Sequence, residues 1–422
     1  MPTDGRSGPK VRDIVAVLDE IAPPALAESW DNVGLLVGDP EAEPAWVAVA
    51  LDAACALAGD MPGPEVGPGL LVAHHPVPFR PLGRVLAGDP VADLVATLLR
   101  RGISLYAAHT NFDSAPGGLS HVLAADLGLD PGDLRPLAPA AQASREAGGD
   151  PAGGAGASGF YKLVVFVPAT HTAAVRAALA KAGAGWIGDY SDTAFAAPGH
   201  GYFRPLEGSR PFIGATGQVE EVVEDRLETI VPVYRLRAVV RRMLEAHPYE
   251  EAAYDVYPLA SHPAVTRPEL LTGLGRVGRL AAGEMELADY KMMVERALGL
   301  PPGAARLLGC GPAAARGVEA FGPSGARGAR RVVRRVAVCP GAGGGYVRRA
   351  AAAGADVYVT GDLTYHYAVE ACQLGLALID AGHHGTEKVF TRTMAALLGQ
   401  GLASEGISLD VSEVPLPSGW LL

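Results

Sequence analysis

Three short apolar runs in this 422-residue chain each end in a cluster of histidines and acids, and that repeated order constrains the fold more than any other feature. Gly69 to Ala73 runs into His74-His75-Pro76. Ser104 to Ala108 runs into His109-Thr-Asn-Phe-Asp113, and Leu376 to Gly382 into His383-His384-Gly-Thr-Glu387. Apolar runs of this length, bounded by turn residues, read as buried strands. In open α/β sheets, ligands bind beyond the carboxyl ends of the strands. A chain with imidazoles and carboxylates at three such ends is expected to be an α/β protein with one shared polar crevice.

The surrounding pattern agrees. Val11 to Ile21 has helical spacing, Trp46 to Leu51 and Ile103 to Ala108 read as strands, and Val91 to Arg100 and Ser120 to Leu127 as helices. Residues 1–136 then form the N-terminal half of an α/β core. Residues 137–159 are mostly Ala, Gly and Pro without an apolar period, which reads as a flexible linker. Residues 160–260 follow the order β-α-β-β-α-β: strand Lys162 to Val167, helix Thr172 to Ala182, β-like stretches ending in Glu228 to Val233, helix Leu236 to Glu245 and strand Ala253 to Leu259. That order predicts an inserted ferredoxin-like α+β domain. Residues 261–422 return to α/β grammar, with strands Val332 to Val338, Val357 to Thr360 and Leu374 to Asp380 and a closing helix Glu387 to Leu398. They complete the core begun by the first block.

Composition excludes some functions. The formal net charge of -11 repels phosphate backbones, which disfavours nucleic-acid binding. No apolar run approaches the roughly 20 residues that span a bilayer, and the polar start of the chain lacks the apolar centre of a signal peptide. The cysteines Cys55, Cys310, Cys339 and Cys372 are scattered without a C-x-x-C pair, so neither a disulfide framework nor a thiolate zinc site is expected. A cytoplasmic protein without membrane contact is the expectation.

The ligand types define the chemistry. Imidazole with carboxylate suits zinc, manganese, iron or cobalt. In each H-x-x-x-D/E pair the carboxylate lies four residues after the histidine, and both can face one crevice if the strand ends at the histidine and a helix begins by the acid. Four histidines and two acids exceed the three protein ligands of a usual catalytic zinc. Two divalent ions about 3.5–4 Å apart fit the count better, with His74, His75, His109, Asp113, His383 and Glu387 as ligands. His384 is expected outside that set, near substrate.

Other features are double-edged. Gly341-Ala-Gly-Gly-Gly345 follows a strand and opens a helix, so its amides could cradle a phosphate or simply make a tight turn. Asp362 could join the crevice or cap a helix. Trp30-Asp31-Asn32 reads as a turn, with substrate contact the lesser alternative. Cys339 reads as a small buried hydrophobe. His247-Pro-Tyr-Glu-Glu251 reads as a helix terminus rather than a cation site.

At these residues the chain resembles a known family. Glu28-Ser-Trp-Asp-Asn-Val-Gly-Leu-Leu-Val-Gly38, His74-His75-Pro76, His109 to Gly118, Gly361-Asp-Leu-Thr-Tyr-His366 and Asp380 to Glu387 look like the Nif-three-like proteins, often labelled GTP cyclohydrolase 1 type 2 homologs. Gly183 to Gly188 and the His247 run resemble the PII/CutA-like middle domain of the longer bacterial members. The resemblance implies a Nif-three-like α/β core built from both halves of the chain, a dinuclear metal centre on the six residues above, and a homohexameric ring. The activity it implies is hydrolytic opening of the GTP purine ring. Ser120-His121 departs from the family pattern but lies beyond the ligands.

Two function classes stand. One is a metal-dependent hydrolase in which metal-activated water attacks a nucleotide or related heterocycle, with His384 or Asp362 moving protons. The other is a metal-binding regulatory or scaffold protein that senses a small molecule through the inserted domain.

Overall fold

A computed structural model describes residues 8–58, 62, 64–139, 159–259, 272–308 and 331–414. The chain divides into two compact units, Met1–Ala147 with Pro268–Leu422, and Gly148–Arg267.

The first unit opens with helix α1 (Val11–Ile21), then β1 (Gly34–Val37), β2 (Trp46–Ala50), α2 (Ala53–Ala58), β3 (Gly69–Ala73), α3 (Pro90–Arg100), β4 (Ile103–Ala107), α4 (Thr110–Ser114), α5 (Leu119–Asp126) and β5 (Arg135–Pro139). Helix α3 starts where the sequence supplies a cap. The Asp89 carboxylate accepts the N–H groups of Val91 and Ala92, and Pro90 occupies the first turn, where no N–H is needed.

The second unit is β6 (Phe160–Pro168), α6 (Thr172–Lys181), β7 (Ala194–Phe203), β8 (Glu220–Pro232), α7 (Leu236–Ala246) and β9 (Tyr254–Pro258). Its antiparallel sheet has the order β7-β8-β6-β9. Val175 and Leu179 of α6 and Val239 and Met243 of α7 bury against Leu163, Val165, Leu227 and Val231 of the sheet. The β-α-β-β-α-β order expected of this segment is therefore present.

The chain returns to the first unit with β10 (Gly273–Arg279), β11 (Met285–Glu286), α8 (Leu287–Ala297), β12 (Arg306–Leu308), β13 (Val332–Val333), β14 (Arg335–Val338), α9 (Val347–Ala352), β15 (Val357–Thr360), α10 (Tyr365–Gln373), β16 (Ala377–Asp380), α11 (His383–Glu387), α12 (Val389–Ser404) and β17 (Val411–Glu413). Two larger sheets result. One has the order β1-β4-β3-β2-β17, parallel except at β1. The other has the order β12-β16-β15-β14-β10-β5, with β14, β15 and β16 parallel.

Each half of the chain completes the other's sheet. β17 pairs with β2 and β5 pairs with β10. Helix α12 lays Phe390, Met394, Leu398 and Leu402 against α1 and against Val47, Val49, Leu70 and Val72. Burying such a side chain stabilises by about 1.5–3 kcal/mol, so the closing helix belongs energetically to the first sheet.

Several local expectations differ from the structure. β5 takes residues 137–139, the start of the expected linker, into a sheet; residues 140–158 lie outside the described residues. The single strand expected over Val332 to Val338 is split at Arg334. The Asp356 carboxylate accepts the N–H groups of Arg334 and Arg335 there, which ends one pairing and starts another. Cys372 is disulfide-bonded, a single pairing that the scattered cysteines did not signal, while Cys55 and Cys339 are free and buried. A sequence spacing of this kind cannot report a pairing that only folding brings about. Among the described residues no helix is long and apolar enough to cross a membrane.

Candidate metal centre

The parallel strands of both sheets deliver their carboxyl ends to one place. β3 ends at His74 and His75, β4 at His109, β2 runs on to Asp52, β15 to Asp362 and β16 to His383. Two short helices then turn the acids back. His109 precedes α4, which carries Asp113 one turn later. His383 and Glu387 both lie in α11, so that pair sits on one helix face rather than on a strand end and a later helix start. Gly382, at φ 78°, makes the turn that lets α11 begin at the histidine.

Two groups of donors converge. His74, His75 and His109 each bring one ring nitrogen within 4.8 Å of the others, and a ring nitrogen each of His75 and His383 meets a Glu387 carboxylate oxygen within the same distance. The Nε2 atoms of His75 and His383 each lie 3.1 Å from Glu387 Oε2, and His74 Nε2 lies 3.5 Å from Glu387 Oε1 and 3.8 Å from Asp113 Oδ1. His75 is common to both groups.

All four imidazoles are oriented from behind. His74 Nδ1 bonds the Ala108 carbonyl at 2.8 Å, His75 Nδ1 the Asp52 carboxylate at 2.8 Å, His109 Nδ1 that of Asp31 at 2.9 Å, and His383 Nδ1 that of Asp362 at 2.7 Å. An imidazole that donates through Nδ1 turns its Nε2 lone pair forward, the tautomer a metal ligand needs.

The electrostatics fit a cation. His74 Nε2 and Asp113 Oδ1 are buried and make no hydrogen bond, a costly arrangement unless something else takes their lone pairs. Burial, with the charges of Glu387 and Asp31, drives the Asp113 carboxyl well above its ordinary range. Burial also lowers His74. Burial opposes charge on His75 too, but hydrogen bonds to Asp52 and Glu387 raise it to about 10. The hydrogen bond to Glu387 leads in raising His383 to about 9. Glu387 stays ionised because His74, His383 and His75 outweigh its burial. These buried histidine and glutamate groups can hold a divalent metal ion.

The glycine loop serves the same site. Gly341, at φ 62°, has no room for a side chain: a Cβ would lie 2.3 Å from Glu387 Oε1. Its N–H donates to Thr386 Oγ1, and that of Gly343 to Thr360 Oγ1, so both amides are used within the protein rather than offered to a phosphate.

Asp362 faces His383 and caps no helix; Thr364 precedes α10. His384 belongs to neither donor group, and burial with the nearby Lys388 charge lowers its pKa. Cys339 is buried, which pushes its thiol up to about 12. The His247 run is structural: His247 Nε2 donates to the Phe166 carbonyl, its Nδ1 accepts from Tyr249 N–H, and Tyr249 donates to Glu224. Asp52 escaped the sequence reading, although the rule applied to β3, β4 and β16 also points to the end of β2. Asp31 was legible only as a turn residue. Arg276 was missed too. Fully buried in β10, it donates to the Gly273 and Gly275 carbonyls, and burial lowers its pKa to about 10 against the opposing influence of Cys339 and Asp113.

Residues 9–416 match the family profile of Duf34/NIF3 (NGG1p interacting factor 3). The chain belongs to the Duf34/NIF3 family. A Mycobacterium tuberculosis relative named GTP cyclohydrolase 1 type 2 homolog is 40% identical over 379 residues, 90% of this chain and 88% of its own. A Bacillus subtilis protein of the same name is 37% identical over 406 residues, 95% of this chain and 96% of its own. The crystal structure of a Bacillus cereus protein related to NIF3 matches with a TM-score of 0.70 at 33% identity, covering 99% of this chain and all of that one.

Proposed function

We propose that this NIF3-family chain is a metal-dependent hydrolase acting on a nucleotide or related heterocycle, with two divalent ions held by His74, His75, His109, Asp113, His383 and Glu387. The observation that carries the reading is the pair of donor groups meeting at His75. Beside them His74 Nε2 and Asp113 Oδ1 are buried without a hydrogen bond, which leaves both atoms available to a cation.

Ions held by these histidines and acids would supply Lewis-acid activation of substrate and of water. The chain's own contribution is positional. Asp31, Asp52 and Asp362 fix the rings, and burial of Asp113 and Glu387 keeps competing water from their oxygens. Asp362 is committed to His383, which leaves His384 as the proton-handling group. Its lowered pKa keeps the imidazole neutral and able to accept a proton at neutral pH. The relatives' name points to GTP as the first substrate to try.

We propose also that the chain self-associates into a homohexamer. Support comes from the exposed Phe195, Tyr202, Leu206, Phe212 and Val223 of the β7–β8 hairpin, an apolar display unusual on a monomer. Light scattering tests it, and a monomer at micromolar concentration removes it.

A second reading, ligand sensing by the inserted unit, is favoured by one observation. A cavity of about 1070 Å³ lies there, lined by Phe166, Phe203, Phe212, Tyr249 and Glu224 among others. The deciding experiment is incubation of the metal-loaded protein with GTP, followed by mass spectrometry of the products. Ring-opened product that disappears in His75→Ala supports hydrolysis. Intact GTP and intact related nucleotides, with metal demonstrably bound, leave the sensing reading.

A further inference from the structure

Two large aromatic side chains stand exposed beside the metal centre. Trp30 is 57% exposed and Phe79 is 43% exposed. Their rings pack against each other with centroids 5.9 Å apart and 44° between planes, and both pack edgewise on His109, at 6.2 and 6.5 Å. Exposing that much aromatic surface costs solvation energy, and fixed backbone on both sides keeps the rings from folding inward.

The fixing is specific. Asp31, next to Trp30, has a fully buried side chain that accepts from His109 Nδ1, Thr110 N–H and the Thr110 hydroxyl. Asn32 Nδ2 donates to the Pro78 carbonyl at 2.7 Å, tying the segment before Phe79 to the segment after Trp30. The ligand-orienting acid and the exposed tryptophan are thus consecutive residues of one anchored turn. An anchored aromatic presents its face at little further entropic cost.

We propose that Trp30 and Phe79 form a stacking platform for a planar heteroaromatic ring, which places the substrate's base against His109 and its reacting centre over the metals. The inference rests on the hydrolase reading for the identity of the ligand as substrate, but the stacking itself does not. Stacked aromatic pairs keep centroids about 4.5–7 Å apart. The 5.9 Å between Trp30 and Phe79 therefore leaves no slot between them, and the ring lies across their outer faces. Stacking on an aromatic side chain accepts any base, so the platform selects for a ring rather than for one nucleobase.

Guanosine monophosphate and ribose 5-phosphate separate the ring from the rest of the ligand. Calorimetric titration of the metal-loaded wild-type protein is expected to give tighter binding of the monophosphate that carries the base. In Trp30→Ala that binding weakens about tenfold, while ribose 5-phosphate binding and metal content stay unchanged; Phe79→Ala gives a smaller loss, and Trp30→Phe restores most of it. Equal affinity of the wild-type protein for the two probes overturns the platform. So does an alanine variant that keeps the difference, or one that changes the number of subunits instead of the affinity. Failure of GTP hydrolysis with the ring preference intact would sink the hydrolase reading and leave the platform standing.

Discussion

Asp31, Asp52 and Asp362 touch no inward-facing lone pair, yet each holds a histidine that does. Carboxylates behind metal-bound imidazoles typically account for 10–100-fold in metal affinity. Asp52→Asn and Asp31→Asn are each expected to weaken metal binding by about that factor, measured by competition with a chromophoric chelator. An unchanged affinity in both would show that the rings hold their orientation without these partners. A different carboxylate makes a test of stability rather than of the site. Glu295 is buried, and its Oε1 accepts from Lys291 at 2.6 Å and from the Gly303 and Ala305 N–H groups at 3.0 Å. The Lys291 bond leads in holding its pKa below the ordinary 4.5. A depressed folded pKa contributes stability that is complete above the unfolded value and lost as pH falls through the folded one. Glu295→Gln is expected to cost about 1–3 kcal/mol at pH 7. Denaturant titrations should find that gap closing as pH drops below the ordinary 4.5.

At the level of elements, the short helices and the glycine turns decide whether the donors meet. Gly361 is one such point: a Cβ there would lie 2.5 Å from Gly382 C and His383 N, so only glycine lets the start of α11 come this close to the end of β15. Gly341 is the sharper case. Gly341→Ala must hold a left-handed backbone and push Glu387 aside, which is expected to lower the melting temperature by several degrees. Metal per chain, read by elemental analysis, is expected to fall by half or more. Full metal occupancy in this variant would mean that Glu387 can retreat without leaving the site. The sequence made the glycine run visible but assigned its amides to a phosphate as readily as to a turn. Only the positions of Thr360 and Thr386 across the sheet resolve that choice.

For the whole molecule, the donors come from both sheets of the first unit, so a bound ion cross-links segments about 300 residues apart. A ligand at a hundred times its Kd stabilises the folded state by about 2.7 kcal/mol. Metal removal by chelation is therefore expected to shift the thermal transition of the first unit downward and to leave that of the second unit in place, as two-component calorimetry can record. A chelator that moves both transitions, or neither, contradicts a site confined to the first unit. His74, His75, His109, His383 and Glu387, which the fold brings into the two donor groups, were legible from sequence because strand periodicity and a polar terminus are local signals. So was the β-α-β-β-α-β order of the insert, since β6, β8 and both helices carry their own apolar periods; the largely exposed β7 was legible only as a β-like stretch. The exchange of β5 and β17 between sheets was not, because strand pairing depends on partners remote in the chain. Asp31 and Asp52, the disulfide at Cys372 and the exposed Trp30–Phe79 pair are likewise products of proximity. Their chemistry lies in what stands within about 3–6 Å in space, a distance that linear order leaves free until the sheets close.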